Sequence, residues 1–345
     1  MNIFHSAKLI GGGIDPDVYH RTGDHPRGHR DFIMSRGALA GFLDCPSKWI
    51  RGADSKDTSA TKWGSLMDAL VLSPDSMEKR FAVYPDTYMT RPANEKVKGF
   101  MPEEKPWNNN ATVCREWKSK NAGKSFIHRE KFDGEGEPDE DTKSATLGNA
   151  QRAKARLMDD ARLKSLVENS ETQVMVMAEY RAESTKIVVP FKVLLDLVPH
   201  VEHPEWGKTL ADFKTARDGS ERGFTKAVHE GFYDWQAVLY RDAYVKATEE
   251  DRCDFLYAVQ ENQPPYEPAL WQLGTSWLDD VRAEVRNALE FYCSCLAANQ
   301  WPSYQISSPV ASYGALSREA YMLRNIPRPI PTSTPQPQFK SETPT

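Results

Sequence analysis

The chain has 345 residues, with 44 Lys and Arg against 49 Asp and Glu, so its formal net charge is −5 and its isoelectric point lies near 6.0. That balance excludes a basic nucleic-acid coat protein, and a 39% hydrophobic content excludes a chain disordered throughout. The longest apolar run, 187–198, is broken by Pro190, Lys192 and Asp196 and falls short of the ~20 residues a bilayer span needs; with no basic-then-apolar leader at the N-terminus, a cytoplasmic protein is expected.

Residues 1–33 are rich in Gly, His, Arg and Asp without an apolar period and predict an irregular N-terminal arm. Ser35 is placed to cap a helix carrying Leu39, Phe42 and Leu43 that stops near Cys45 and Pro46. A second helix is predicted over 63–72, ahead of Pro74. Residues 84–145 are polar, punctuated by Pro85, Pro92, Pro102 and Pro106, and end in the acidic run 133–141. They predict a long surface excursion with short helical pieces at most. Helical spacing returns over 147–167. The period then changes: 173–181 alternates, 186–198 is β-branched and apolar, and 209–215 is a third short run of strand type. A long amphipathic helix over 224–248, a fourth strand over 253–261 and a closing helix over 276–299 follow. The order predicts one α/β domain over 34–305 with a helical N-terminal elaboration. Beyond it lies an extension, 306–345, whose last part, 327–345, holds six prolines and packs no core.

Five scattered cysteines predict free thiols, since the number is odd and Cys293-x-Cys295 lacks metal-site spacing. His200 and His203 could bind zinc with His20, His25 or His29, but a turn with two solvated histidines is the better account. Ala122-Gly123-Lys124-Ser125 lacks the first glycine and the preceding strand of a phosphate loop.

An acidic-x-Lys tripeptide occurs five times, and only Asp212-Phe213-Lys214 falls in a predicted strand. Strand geometry puts Asp212 and Lys214 on one face and turns Phe213 to the other. Asp196 interrupts the apolar strand upstream and is costly to bury without a cation or strong donors. If these two strands neighbour each other, Asp196 and Asp212 form an oxygen-rich pocket suited to Mg²⁺ or Mn²⁺, with Lys214 beside it to orient or deprotonate a water. An Asp196–Lys214 ion pair in an ordinary sheet is the plain alternative. Gln236 and Tyr240, at i and i+4, share a helix face and could address a phosphate or base. Glu179, ending the alternating strand, could add a carboxylate.

Asp196, Asp212-x-Lys214 and Gln236-x-x-x-Tyr240, in that order, resemble the PD-(D/E)XK nuclease signature with the extra motif of the RecB and lambda-exonuclease branch. Ser35 through Cys45-Pro46, Gly64 through Pro74, Phe232-Tyr233-Asp234-Trp235-Gln236 and Asn299 through Tyr304 are similar to the exonuclease VIII (RecE-type) group. The resemblance, over roughly 32–305, implies a restriction-endonuclease-like core, a mixed central sheet flanked by helices. It further implies a Mg²⁺- or Mn²⁺-dependent exonuclease, with one or two ions per site, that degrades one strand of linear duplex DNA from a 5′ end. The exposed strand would pass to a single-strand annealing recombinase, and the enzyme would act as a homo-oligomeric ring in a bacterial host cytosol. By position, Asp196, Asp212 and the Phe213 carbonyl would hold the metal, Lys214 would position the water, Glu179 would be accessory, and Gln236 and Tyr240 would touch DNA. Asp68 stands where many relatives have His, and as a hard-metal ligand it could serve the same site. Two other readings stay open: a non-catalytic DNA-end-binding scaffold with a degenerate site, and another nuclease of the superfamily, RecB-type or CRISPR-associated, which the missing cluster-type cysteine spacing disfavours.

Overall fold

The computed structural model describes residues 2–23, 25–52, 58–92, 99–129, 146–202, 207–250 and 254–304; the acidic run 133–141, His203, Cys253 and the proline-rich tail lie outside them. The chain opens with strand β1 (Ser6–Gly11) and helix α1 (Pro16–Arg21), then α2 (Arg36–Asp44), α3 (Pro46–Ile50), α4 (Ser59–Val71) and α5 (Met77–Arg80). Short strands β2 (Phe81–Val83), β3 (Thr87–Met89) and β4 (Glu104–Pro106), helix α6 (Thr112–Lys120) and β5 (Ser125–Ile127) follow. Helices α7 (Leu147–Asp159) and α8 (Ala161–Glu168) lead into the long strands β6 (Ser170–Arg181) and β7 (Val188–Pro199), then β8 (Thr209–Ala216). Helices α9 (Glu221–Gly231) and α10 (Tyr233–Thr248), strands β9 (Asp254–Glu261) and β10 (Pro268–Gln272), and helix α11 (Thr275–Ala298) complete it.

One six-stranded sheet in the order β1-β6-β7-β8-β9-β10 organises the fold. Every neighbouring pair is antiparallel except β8 and β9, so the sheet is mixed, as expected. Alternation sorts its side chains onto two cores. Leu210, Phe255, Tyr257 and Val259 face α2, α10 and α11, packing with Phe42, Trp235, Leu239, Val285 and Leu289. Ala211, Phe213, Leu256 and Ala258 face α4, α7 and α8, packing with Trp63, Leu66, Met67, Ala153 and Leu157. Trp63 and Trp235 are both fully buried, and side chains of this size stabilise by about 1.5–3 kcal/mol each.

The arm predicted as irregular is ordered. Strand β1 pairs with β6, Ser6 opposite Glu179, on the sheet edge. Buried Lys192 of β7 donates to the carbonyls of Tyr19 (2.7 Å), Thr22 (2.8 Å) and His20 (3.3 Å), closing the C-terminal end of α1. Two predicted single helices are each two. Asp160 accepts from the amides of Arg162 (2.9 Å) and Leu163 (3.2 Å), so it ends α7 and caps α8. Phe232 takes a left-handed backbone (φ 54°) that turns α9 into α10. In the described parts of the polar excursion, 84–92 and 99–129, β3 pairs with β4, β5 pairs with β2 just ahead of it, and α6 lies between β4 and β5 in the chain.

Candidate active site

The site lies where the sheet splits. Strands β7 and β8 pair at Leu197 and Ala211 only, whereas β8 is zipped to β9 in parallel from Thr209 to Ala216. In the opening between β7 and β8, Asp196 Oδ2 accepts the Phe213 amide at 3.0 Å, standing in for the missing ladder partner. The Phe213 ring points away into the α4–α7 core. Asp212, 1% exposed, and Lys214, 15% exposed, alternate onto the opposite face and form an ion pair through Oδ2 and Nζ. The Lys214 ammonium also sits 4.9 Å above the Tyr233 ring.

Helix α10 closes that face. Gln236 Nε2 donates to Asp212 Oδ1 at 2.5 Å, and the buried Gln236 Oε1 has no hydrogen-bond partner. Tyr240, one turn on, is buried and hydrogen-bonds with Tyr19 of α1. Asp68 on α4 completes a carboxylate group of three around Lys214. Burial pushes the Asp68 carboxyl up to about 7, with the Asp212 charge adding to it and Lys214 and Arg80 opposing. Burial and then Asp212 raise Asp196 well above the usual carboxylate range, against Lys214. Burial alone would lower the Lys214 ammonium, but Asp212 and Asp196 outweigh it and hold it above the ordinary lysine value.

Asp196, Asp212, Lys214, Gln236, Tyr240 and Asp68 are therefore brought together. Glu179 is not: it faces Pro190 across the β6–β7 ladder and accepts from Ser6 Oγ at 2.6 Å in an exposed position. The β6 residue beside Asp196 is Gln173, six positions away, or roughly 20 Å along a strand. The accessory-carboxylate reading of Glu179 is corrected accordingly, because a strand's edge position and its register are separate quantities. Gln173 is buried with a left-handed backbone (φ 52°), and its Nε2 lies 3.5 Å from Asp196 Oδ1. Sequence reasoning passed over it, since a Gln opening an alternating run carries no signal of a positive φ.

Arg36 was also missed. Its charge acts on Lys214, Tyr240, Tyr19 and Tyr257. Its Nη1 donates to the Gly231 carbonyl at 2.9 Å, and its buried Nε has no hydrogen-bond partner. A cation in the first turn of a helix opposes the helix dipole, and that misplacement after the Ser35 cap was the available signal. Among the described residues the one trio of ligand-type atoms within 4.8 Å of one another is His25, His29 and Asp31 in the arm; it includes neither His20 nor His200.

An acidic strand pair, Asp-x-Lys on the second strand and a glutamine clamping the central aspartate form the pattern of a PD-(D/E)XK-type site, and a family model agrees on the class. The model of a PDDEXK-like domain of unknown function, DUF3799, matches residues 39–308, and the chain belongs to that family. No curated protein matches the chain. A crystal structure from Eubacterium rectale, of a protein provisionally named an exonuclease, is similar at 11% identity and a TM-score of 0.49, covering 89% of this chain and 99% of that one. The family places the chain in the PD-(D/E)XK superfamily; the RecE-type branch rests on the motif resemblance alone. No described helix is long and apolar enough to cross a membrane.

Proposed function

We propose that the protein is a divalent-metal-dependent exodeoxyribonuclease that hydrolyses phosphodiester bonds of linear duplex DNA from 5′ to 3′. The observation that carries this is the convergence of Asp196, Asp212, Lys214 and Asp68 in the split between β7 and β8. The donor set fits a hard cation: two of its carboxylates are raised, first by burial and then by the neighbouring Asp212 charge, and the Gln236 amide oxygen beside them is buried without a partner. Asp196, Asp212, Asp68 and the Phe213 carbonyl would hold Mg²⁺ or Mn²⁺, one or two ions. The chemistry supplied when bound is stabilisation of charge on the scissile phosphate and a more acidic water.

The chain's own residues do the rest. Lys214, protonated between two carboxylates, orients the attacking water; neutralising those carboxylates would lower its pKa and make the unprotonated amine, the form able to accept a proton, more accessible. Gln236 fixes the Asp212 carboxylate through Nε2. Tyr240, buttressed by Tyr19, and the Arg36 guanidinium coupled to both would meet a phosphate of the bound strand. The same reading carries a homo-oligomeric ring around DNA, delivery of the exposed strand to a single-strand annealing recombinase, and phage-type recombination in a bacterial cytoplasm.

Linear duplex labelled at the 5′ or the 3′ end, incubated in Mg²⁺, tests activity and polarity together. Early release of the 5′ label, abolished by Asp212→Ala, is expected; no release from either end would overturn the enzyme reading. The second reading, a non-catalytic DNA-end-binding scaffold, draws on Lys214 already neutralising Asp212. It predicts end binding in Mg²⁺ without nucleotide release.

A further inference from the structure

The described residues of 84–92 and 99–129 gather a cluster of aromatic rings around Tyr84 and Trp107. Tyr84 stacks on Phe126 at 5.5 Å between ring centres and 22° between planes, and it also meets His128 at 4.7 Å. Trp107 packs edge-on against Trp117 at 5.3 Å and 77°. All of these rings are only half-buried, and the neighbouring Met89 and Met101 are 52% and 81% exposed. Trp107 is the shared wall of two concavities, one reaching Tyr88, Trp117 and Arg91, the other Tyr84, His128 and Arg129.

The charge here opposes that of the whole chain. The described residues of the segment hold seven Lys and Arg against four Asp and Glu, while the chain is net −5. Lys118 Nζ lies 5.3 Å from the Tyr84 ring and 5.9 Å from that of Phe126, so one cation serves two aromatic faces. Among the described residues, Arg91 and Arg129 form exposed pairs, to Glu116 at 2.7 Å and to Asp86 at 3.9 Å. Such surface pairs are worth little and exchange readily for a phosphate. The segment is rooted beside the active site, since Arg80 acts on the Asp68 carboxyl and Tyr84 follows four residues later, a reach of at most ~14 Å along the chain.

We propose that this face binds single-stranded DNA, with bases stacking on Trp107 and the rings around it and phosphates meeting Arg91, Lys118 and Arg129. Half-buried aromatic rings suit unpaired bases, whereas a paired duplex keeps its base faces stacked, and the local positive excess suits a polyanion better than a neutral apolar peptide. The inference rests on the nuclease reading only for the direction from which a strand arrives.

The test is anisotropy of a fluorescein-labelled oligothymidylate with the full chain in EDTA, alongside tryptophan emission. Binding that weakens with salt and quenches tryptophan is expected. Trp107→Ala should weaken it about fivefold or more, the low end for loss of one base–aromatic stack. Should Trp107→Ala fold poorly, the surface variant Arg91→Glu with Arg129→Glu gives the second arm, with an expected loss of similar size. Unchanged affinity in both variants would overturn the proposal. So would equal binding of a blunt duplex, or quenching by a peptide copying residues 327–345 in place of the oligonucleotide. Because no cleavage is read, failure here leaves the nuclease reading standing, and absence of hydrolysis leaves this one standing.

Discussion

Lys214→Met keeps most of the side-chain stem and deletes its charge. Asp212, at 1% exposure, would lose its ion-pair partner and keep the Gln236 hydrogen bond, while Asp196 and Asp68 would face it without the ammonium. Removing one partner of a buried pair costs about 3–5 kcal/mol. The retained Gln236 bond and the 15% exposure of Lys214 argue for the low end, about 3 kcal/mol. For a domain of this size that lowers Tm by roughly 5 °C. The assay is thermal unfolding in EDTA and again in excess Ca²⁺, a non-redox cation of the same charge as Mg²⁺. The deficit should be large in EDTA and shrink in Ca²⁺, because a divalent ion supplies the missing charge. Nuclease activity in Mg²⁺ should fall by about 10²–10⁴, the usual contribution of a positioned acid–base group. A variant that melts with the wild type in EDTA, or whose deficit ignores Ca²⁺, would refute the electrostatic account of the split; undiminished digestion would refute the catalytic role.

Three further outcomes are expected. Asp68→Asn should gain stability over the metal-free wild type as pH rises from about 4 to 7: with its carboxyl held up to about 7 against 3.8 in the unfolded chain, the folded protein binds the extra proton in that window and its stability falls with pH. Melts in EDTA at pH 5 and pH 8 that show the same difference between the two proteins would contradict this. Asp242→Ala should cost about 3 kcal/mol in chemical unfolding, since Asp242 accepts Arg282 Nε and Nη2, both at 3.1 Å, and the Ile3 amide at 2.9 Å, leaving Arg282 buried with Asp279 alone. Cys293 and Cys295, both buried and pushed up to about 12, first by burial, should resist thiol reagents at pH 8 until the chain is unfolded.

Much of the central sheet was legible because its strands are buried on at least one face and therefore wear their period openly: 173–181, 186–198 and 209–215 all lie within or beside observed strands. The Asp212–Lys214 face and the Gln236–Tyr240 turn followed from periodicity alone. Edge strands carry no such record. Strand β1 is half-exposed, its Leu9 and Ile10 40% and 48% accessible, so nothing in its sequence announces pairing with a strand some 170 positions later. The strand β10 was likewise unread, being half-exposed at the other edge. Gln173 and Arg36 enter the site through a positive φ and a helix start, which are tertiary choices. Glu179 shows the converse error, a carboxylate of the right type on the right strand at the wrong end.

The backbone of Ile3 is tied to a carboxylate 239 positions further on, and the first strand finds its partner only at Met175 to Glu179. At the ~5–20 residues per second of ribosomal synthesis, the opening residues wait on the order of tens of seconds for the groups that fix them. The strand bearing Asp212 is likewise left with one open edge until Asp254–Glu261 has been made. A nascent chain that stops short of Gln236 therefore has neither a paired second edge for that strand nor a clamped aspartate, and the split is complete only after Asp254–Glu261 has been made.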